Sequence, residues 1–258
     1  MVEPNKWPLP LEVIYLGVRP YCEVWSIQKS IHQEIRDHHR SATLILCSHD
    51  PVITVGTKGA VSKSGSMASL HVSERDLSDL NIEFYQVERG GGVTVHSPSQ
   101  LIAYPLLDLR RIRQDVGWYM RSLEEVVIRV LNNFGIIGQR INGLTGVWLK
   151  SEVAPYQKIA SIGVKLSRWC SYHGVAIQVG TKHSGFSLID PCGLNNVTIT
   201  SITEQIGAPM NQVPINQVSV HPLSIHPLSV ANTFVNCFCE VFPYQPYSQY
   251  DLKNHVNR

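Results

Sequence analysis

Apolar residues in this chain recur with two periods, and the switches between them mark out its elements. Between Tyr21 and Arg36, Val24, Ile27, Ile31 and Ile35 form one helical face, with Trp25 and Gln28 flanking it. Leu123, Val126, Val127, Val130, Leu131 and Phe134 predict a second helix from Ser122 to Phe134. Ser122-Leu-Glu-Glu125 has the form of a capping box there, and Gly135 stands where a helix ends. A similar box, Ser201-Ile-Thr-Glu204, opens a short helix stopped by Gly207 and Pro209, and Val230, Phe234, Cys237, Phe238 and Val241 make the buried face of a last one. Runs of β-branched and apolar residues predict strands at Val13 to Val18, Ala42 to Cys47, Val52 to Val55, Ile82 to Val87, Leu101 to Leu107, Gly146 to Leu149, Lys158 to Leu166 and Gly174 to Val179. Short turns between the later strands point to a sheet built largely from neighbouring antiparallel pairs. Three stretches have no period: Gly56 to Ser69; Ala208 to Ser229, where Val220-His-Pro-Leu-Ser224 is echoed by Ile225-His-Pro-Leu-Ser229; and the polar tail from Tyr244 to Arg258. They are expected to be a mobile loop, an extended connector and a frayed end.

A chain of 258 residues buries a substantial core either as one large α/β domain or as two small ones. Its 22 basic and 20 acidic residues leave a formal net charge of +2 with no long run of either sign, which argues against a general nucleic-acid binder. No apolar run is long enough for a membrane span, and the opening Met1-Val-Glu-Pro-Asn-Lys-Trp-Pro8 has neither a signal-peptide core nor an Arg/Ser-rich transit pattern. The expectation is a soluble, cytoplasmic protein without a membrane partner. Six cysteines, Cys22, Cys47, Cys170, Cys192, Cys237 and Cys239, are scattered too widely to suggest disulfide staples, and without a Cys-x-x-Cys pair no structural metal site is expected.

Candidate chemistry begins at the three consecutive glycines, Gly90, Gly91 and Gly92. They cost backbone entropy and suit a positive φ or a ligand lying against the main chain; a plain hairpin loop is the alternative. Arg89 and His96 put a fixed cation and a titratable ring at the two rims of this loop. Cys192, in Asp190-Pro-Cys-Gly-Leu194, fits a thiol projected from a sharp turn, and equally a small buried residue. A thiol titrating at about 8.5 needs a nearby cation, histidine or helix N-terminus to ionise near neutrality. Lys158, at the head of a strand of small and apolar residues, is a candidate for that cation, and a surface lysine is the competing reading. The other five cysteines read as core residues. Among 11 histidines, His96 and His173 stand out by position, and each also fits a structural role.

These motifs occur in one order: Arg89-Gly-Gly-Gly-Val-Thr-Val-His96, then Pro98, Gln100 and Tyr104-Pro105, Thr145-Gly-Val-Trp148, Lys158-Ile-Ala-Ser-Ile-Gly163, Arg168-Trp169, His173-Gly-Val-Ala176 and Phe186-x-x-Ile-x-Pro-Cys-Gly193. Together with Leu16-Gly17, Pro20-Tyr21, Trp25, Gln28, His49, Pro51-Val52 and Thr54-Val-Gly56, they closely resemble the lipoyl(octanoyl) transferases over roughly Leu16 to Ile206.

The resemblance implies an acyltransferase of lipoate biosynthesis. It would move an octanoyl group from octanoyl-acyl carrier protein to a lysine of lipoyl domains, those of 2-oxoacid dehydrogenases or the glycine cleavage H protein, with no cofactor and no metal. Cys192 then takes the acyl-thioester position and Lys158 the position credited with lowering its pKa. Arg89, Gly90, Gly91, Gly92, Val93, Thr94, Val95 and His96, with Ser161, Ile162, Gly163, Gly174, Val175 and Ala176, take the substrate-contacting positions. The implied fold is the α/β (α+β) domain of lipoate and biotin protein ligases, a mixed, largely antiparallel sheet flanked by helices. Residues 1–207 would be the catalytic part, and 208–258 a connector, helix and polar tail packed on it. An ATP-dependent lipoate or biotin ligase and a non-catalytic lipoyl-domain or carrier-protein binder are the competing functions. The chain departs from the family pattern at Val95, Ser97 and Ser99, where Tyr, Gly and Gly are usual, at Thr57 for an arginine and at Gln178 for an asparagine. The added serine side chains are expected to narrow the acyl slot or shift its loop.

Overall fold

The structure is a computed structural model and describes residues 8–59, 70, 77, 79–151, 156–181, 184–189, 197–207 and 225–251. Twelve strands and four helices are seen among them. In chain order they are β1 (Leu9–Arg19), α1 (Tyr21–Arg36), β2 (Ala42–His49), β3 (Val52–Val55), β4 (Glu83–Gln86), β5 (Val93–His96), β6 (Gln100–Leu106), α2 (Val116–Asn133), β7 (Gln139–Ile141), β8 (Leu144–Leu149), β9 (Tyr156–Ser167), β10 (Cys170–Gln178), β11 (Val197–Ile199), α3 (Ile202–Gly207), α4 (Pro227–Val241) and β12 (Tyr244–Asp251). The main sheet runs β12-β1-β2-β6-β10-β9-β8-β7, with β11 also paired to β9, and a small sheet runs β4-β3-β5. Pairs from β2 through β7 are antiparallel, while β1 lies parallel to both β2 and β12, so the sheet is mixed as expected.

Side chains alternate across a strand, so adjacent residues of the central strands divide between two cores. Val13, Leu44, Leu46, Leu101, Ala103, Val175 and Ile177 pack with Tyr119, Leu123, Val126 and Val130 of α2 and Phe234 and Phe238 of α4. Ile14, Ile45, Cys47, Ile102, Tyr104 and Ala176 pack on the other face with Val24, Ile31 and Ile35 of α1. With both faces covered, all eight residues of β2 are buried. A third cluster under the small sheet joins Ile53, Val55, Val93, Val95, Leu77 and Phe186.

Several local expectations are corrected. The second helix begins at Val116, where the Asp115 carboxylate accepts the Trp118 N–H at 2.9 Å, so the Ser122 box lies inside the helix and Ser122 is buried. Tyr119 extends the apolar stripe one turn upstream, and the first aspartate before that stripe does the capping. At Ser201 the hydroxyl does accept the Glu204 N–H, at 3.2 Å, but the Glu204 carboxylate accepts from Thr200 Oγ1 rather than closing the box. Pro227 to Ser229 form the first turn of α4, capped by His226, while 208–224 of the expected connector lie outside the described residues. The tail is not frayed at its start, because Tyr244–Asp251 pairs with β1 from Leu9 to Tyr15. Main-chain pairing at a sheet edge leaves little mark on a polar sequence, and Pro246 is tolerated there. Of the Gly56 to Ser69 loop, Thr57–Gly59 form a 3-10 turn, and 60–69 lie outside the described residues. Cys47, Cys170 and Cys237 are core residues and Cys239 is half-buried, whereas Cys22 is exposed on α1.

Candidate active site

Seven segments distant in sequence enclose one cavity of about 210 Å³. The glycine loop and β5 supply Arg89 to Thr94 and His96, β9 supplies Lys158 and Ser161 to Gly163, and β10 supplies His173 to Ala176. All but two of the residues expected at the site are therefore brought together. Val95 is the first exception: alternation along β5 turns it into the third apolar cluster. Cys192, with Asp190 to Asn196, lies outside the described residues.

Only Gly91 of the three glycines has a positive φ, at +89°; Gly90 and Gly92 serve as bare backbone on the cavity wall. Main-chain bonds moor the loop on two sides. The Gly90 N–H reaches Val164 O on β9 at 2.9 Å, and the N–H groups of Gly56, Thr57 and Lys58 reach the carbonyls of Gly92, Arg89 and Gly91 at 3.0 Å each. Arg89 is not a rim cation. It is buried, and its Nη2 donates to Thr54 O at 2.7 Å and Thr54 Oγ1 at 2.9 Å, clamping the loop to β3.

Lys158 is likewise no surface lysine: it is 5 % exposed, with Nζ 4.8 Å from the centroid of the Trp148 ring. Its stem passes over Gly146, which has φ +116°, and a Cβ there would stand 2.9 Å from Lys158 Cε and 2.5 Å from the Ala160 carbonyl oxygen. The Gly146 N–H donates to Glu124 Oε1 at 3.1 Å, and that buried carboxylate is itself held by Arg121 at 2.7 Å and Arg140 at 3.3 Å. Helix α2 thus fixes the backbone over which the lysine reaches the cavity.

Three histidines near the cavity are neutral at ordinary pH. Burial pushes His49 down to about 4; its Nδ1–H donates to Arg19 O at 2.9 Å, which leaves Nε2 to accept from Tyr104 OH at 2.8 Å. His96 is held well below the usual imidazole range by burial, then by the neighbouring His49 and Arg89. Burial, then Arg89 and Lys29, bring His173 down to about 3. The His173 ring lies 3.6 Å from Glu88 Oε2, but an imidazole neutral at this pH makes that a contact of charge with dipole rather than an ion pair. His173 also has φ +58° and no hydrogen bond to either ring nitrogen among the described residues, a strained placement of the kind found at functional sites. Its backbone N–H is held by Gln28 Oε1 at 2.9 Å, so Gln28, expected to flank the helix face, is fully buried.

The departures from the family pattern do not obstruct the slot. Ser97 Oγ and Ser99 Oγ bond to each other at 2.9 Å in the turn after β5, and neither residue lines the cavity. Gln178 extends to Gln100, with 3.2 Å between its Oε1 and Gln100 Nε2. Thr57 is exposed beside the mouth, where Lys58 supplies a cation. Beyond the expected residues, Tyr21, Ile102, Tyr104, Leu144 and Trp148 also form walls. Tyr21, Tyr104 and Trp148 stood within the recognised motifs, whereas Leu144 carried no local signal.

Residues 20–221 match the family described as lipoyl protein ligase A/B catalytic domain. The chain is 42% identical over 200 residues to an octanoyltransferase of Chloroflexus aurantiacus, covering 76% of this chain and 85% of that one. It is 40% identical over 191 residues to an octanoyltransferase of Nostoc punctiforme, covering 74% and 77%. Among solved structures, a putative lipoate protein ligase from T. acidophilum with bound lipoic acid superposes with a TM-score of 0.66 at 12% identity, over 94% of this chain and 90% of that one. A lipoate-protein ligase A bound with ATP gives 0.63 at 14%, over 93% and 90%. The two solved structures establish the shared fold and the curated relatives establish the lineage: the chain belongs to the octanoyltransferase family of acyltransferases.

Proposed function

We propose that the protein moves an octanoyl group from octanoyl-acyl carrier protein to a lysine of a lipoyl domain by way of a thioester on Cys192, with Lys158 lowering the pKa of that thiol. The observation that carries this reading is the convergence of the glycine loop, Lys158 and the small residues of β9 and β10 on one cavity. Ile102, Leu144, Ile162 and Val175 offer an alkyl chain apolar walls, and the bare backbone of Gly90, Gly163 and Gly174 leaves room beside them. Burying roughly six methylenes there is worth about 5 kcal/mol.

In the first half-reaction the Cys192 thiolate attacks the carrier's thioester carbonyl. A new C–S bond forms, the old one breaks, and the carrier leaves as its thiolate. In the second, the lysine amine of the acceptor attacks the enzyme's thioester, and the more stable amide draws the transfer forward. The covalent intermediate lets two large partners use one mouth in turn. A buried ammonium at Lys158 favours the ionised thiol by charge in a site where water screens little. Among the relatives in fold, an archaeal bipartite lipoate protein ligase was characterised with its E2 lipoyl domain, which supports a lipoyl domain as the acceptor.

The test is an intact mass spectrum after incubation with octanoyl-acyl carrier protein and no ATP. The expected result is a gain of one octanoyl group, lost in Cys192→Ala and discharged on adding a lipoyl domain. No gain, or a gain that persists in Cys192→Ala, overturns the assignment.

A further inference from the structure

Resting on the octanoyl-transfer reading above, we propose that Ile102 sets the length of the acyl chain by closing the deep end of the cavity. Strand register carries the argument. Paired residues of neighbouring strands stand side by side on one face of the sheet, and one such row runs from Ser161 on β9 through Ala176 on β10 and Ile102 on β6 to Cys47 on β2. Ser161, Ala176 and Ile102 line the cavity, and Cys47 does not. Two small residues therefore floor a trench that runs across the strands, and the first large side chain met along it is Ile102.

Exposure gives the trench its direction. Gly143 and Thr145, just before and within β8, are exposed, and the Lys158 ammonium lies over Trp148 of the same strand. At the β6 end Ile102 and Tyr104 are 1 % and 3 % exposed. Water and charge thus favour a polar carbonyl toward β8, and burial favours an alkyl tail toward β6. The lengths agree with that placement. Strands β9 and β6 are separated by β10, so they lie two strand spacings, about 10 Å, apart. The seven C–C bonds from an octanoyl carbonyl carbon to its methyl, about 1.5 Å each in a zigzag, span roughly 9 Å. A carbonyl above β9 puts that methyl against Ile102, and two further methylenes have no room in line.

The end wall is held on several sides. Ile102 packs with Val24 and Ile31 of α1 in the second core cluster. Beside it, the Tyr104 hydroxyl donates to His49, which donates in turn to the Arg19 carbonyl, and Tyr21 stacks on His96 at 6.0 Å. Behind it stands Cys47, itself small, so in this row the Ile102 side chain is what limits the trench to two strand spacings.

The test offers octanoyl- and decanoyl-acyl carrier protein together in equal amounts, with a lipoyl domain as acceptor, and reads the ratio of decanoyl to octanoyl product by mass. A ratio taken within one variant does not depend on how much of that protein is folded. Wild type should favour octanoyl. Ile102→Ala, which opens the row through to Cys47, should raise the ratio on the order of 15-fold, the worth of burying two methylenes. Ile102→Val removes one carbon, a change that cores tolerate, and should raise it about fourfold. Leu101→Val, at the neighbour that faces the opposite core, should leave the ratio unchanged. An unchanged ratio in the folded Ile102 variants, with octanoyl transfer intact, overturns the length assignment alone, and so does an equal shift in Leu101→Val. A wild-type protein that modifies the lipoyl domain with neither chain instead fails the transfer reading, and this proposal with it.

Discussion

Gly146→Ala tests whether the positive-φ glycine within β8 positions Lys158. At φ +116° an L side chain is strained, and its Cβ would stand 2.5 Å from Ala160 O, 2.9 Å from Lys158 Cε and 3.4 Å from Lys158 Nζ. The lysine stem can swing away, but the Ala160 carbonyl belongs to β9, which pairs with β8 next to this residue, so the two strands must also part. Backbone strain and the main-chain clash together should cost about 2–4 kcal/mol. For a chain of this length that lowers Tm by roughly 5–15 °C. The displaced ammonium has a second, separate effect. A thiol at about 8.5 is some 3% ionised at pH 7 and one lowered to about 7 is half ionised, so losing Lys158 from its place slows iodoacetamide capture of Cys192 by up to about 15-fold. Lys158→Ala sets the full size of that effect. Gly143→Ala is the control: with φ +80° and nothing within 4 Å of the added carbon, it carries the backbone cost alone. Thermal melts and alkylation rates at pH 7 read the two quantities independently. If folded Gly146→Ala captures iodoacetamide as fast as Gly143→Ala and wild type, the positioning argument is refuted.

Two further outcomes follow from the same site. A hexanoyl donor leaves two methylenes' worth of burial unrealised, about 1.6 kcal/mol, so its kcat/KM should be roughly 15-fold below that of octanoyl; equal values would place the alkyl chain outside the cavity. Stability should fall on acidification, because His49 and His173 titrate at about 4 and about 3 when folded and near 6.5 when unfolded. The unfolded chain then binds more protons throughout that interval, so the stabilisation from neutral histidines is complete above about 6.5 and is lost as pH drops toward 4. Each histidine contributes a slope of up to about 1.4 kcal/mol per pH unit, read by urea titration from pH 7 to pH 4.5. A shallower slope in His49→Gln, by about one histidine's share, beside the wild type would assign that part of the effect, and a flat wild type would deny it.

What the sequence determined by itself is local. The stripe from Val24 to Ile35 folds as α1, Gly135 ends α2, and Val52–Val55 is a strand, because side-chain periodicity and a glycine's freedom act over a few residues. The ordered motifs around the glycine loop, Lys158 and His173-Gly-Val-Ala176 also marked a family and most of its cavity, since each is a short run with its own chemistry. The tertiary structure decided the rest. Lys158 meets the glycine loop because β9 pairs with β10, β10 pairs with β6, and the Gly90 N–H reaches Val164 O, bonds between strands that no local pattern records. Register turned Val95 away from the cavity, and main-chain pairing alone made an edge strand of the polar tail. A histidine's charge state is likewise a property of its surroundings. His49 is neutral because distant segments bury it, and His96 and His173 because they are buried beside Arg89, surroundings that no local stretch of sequence records.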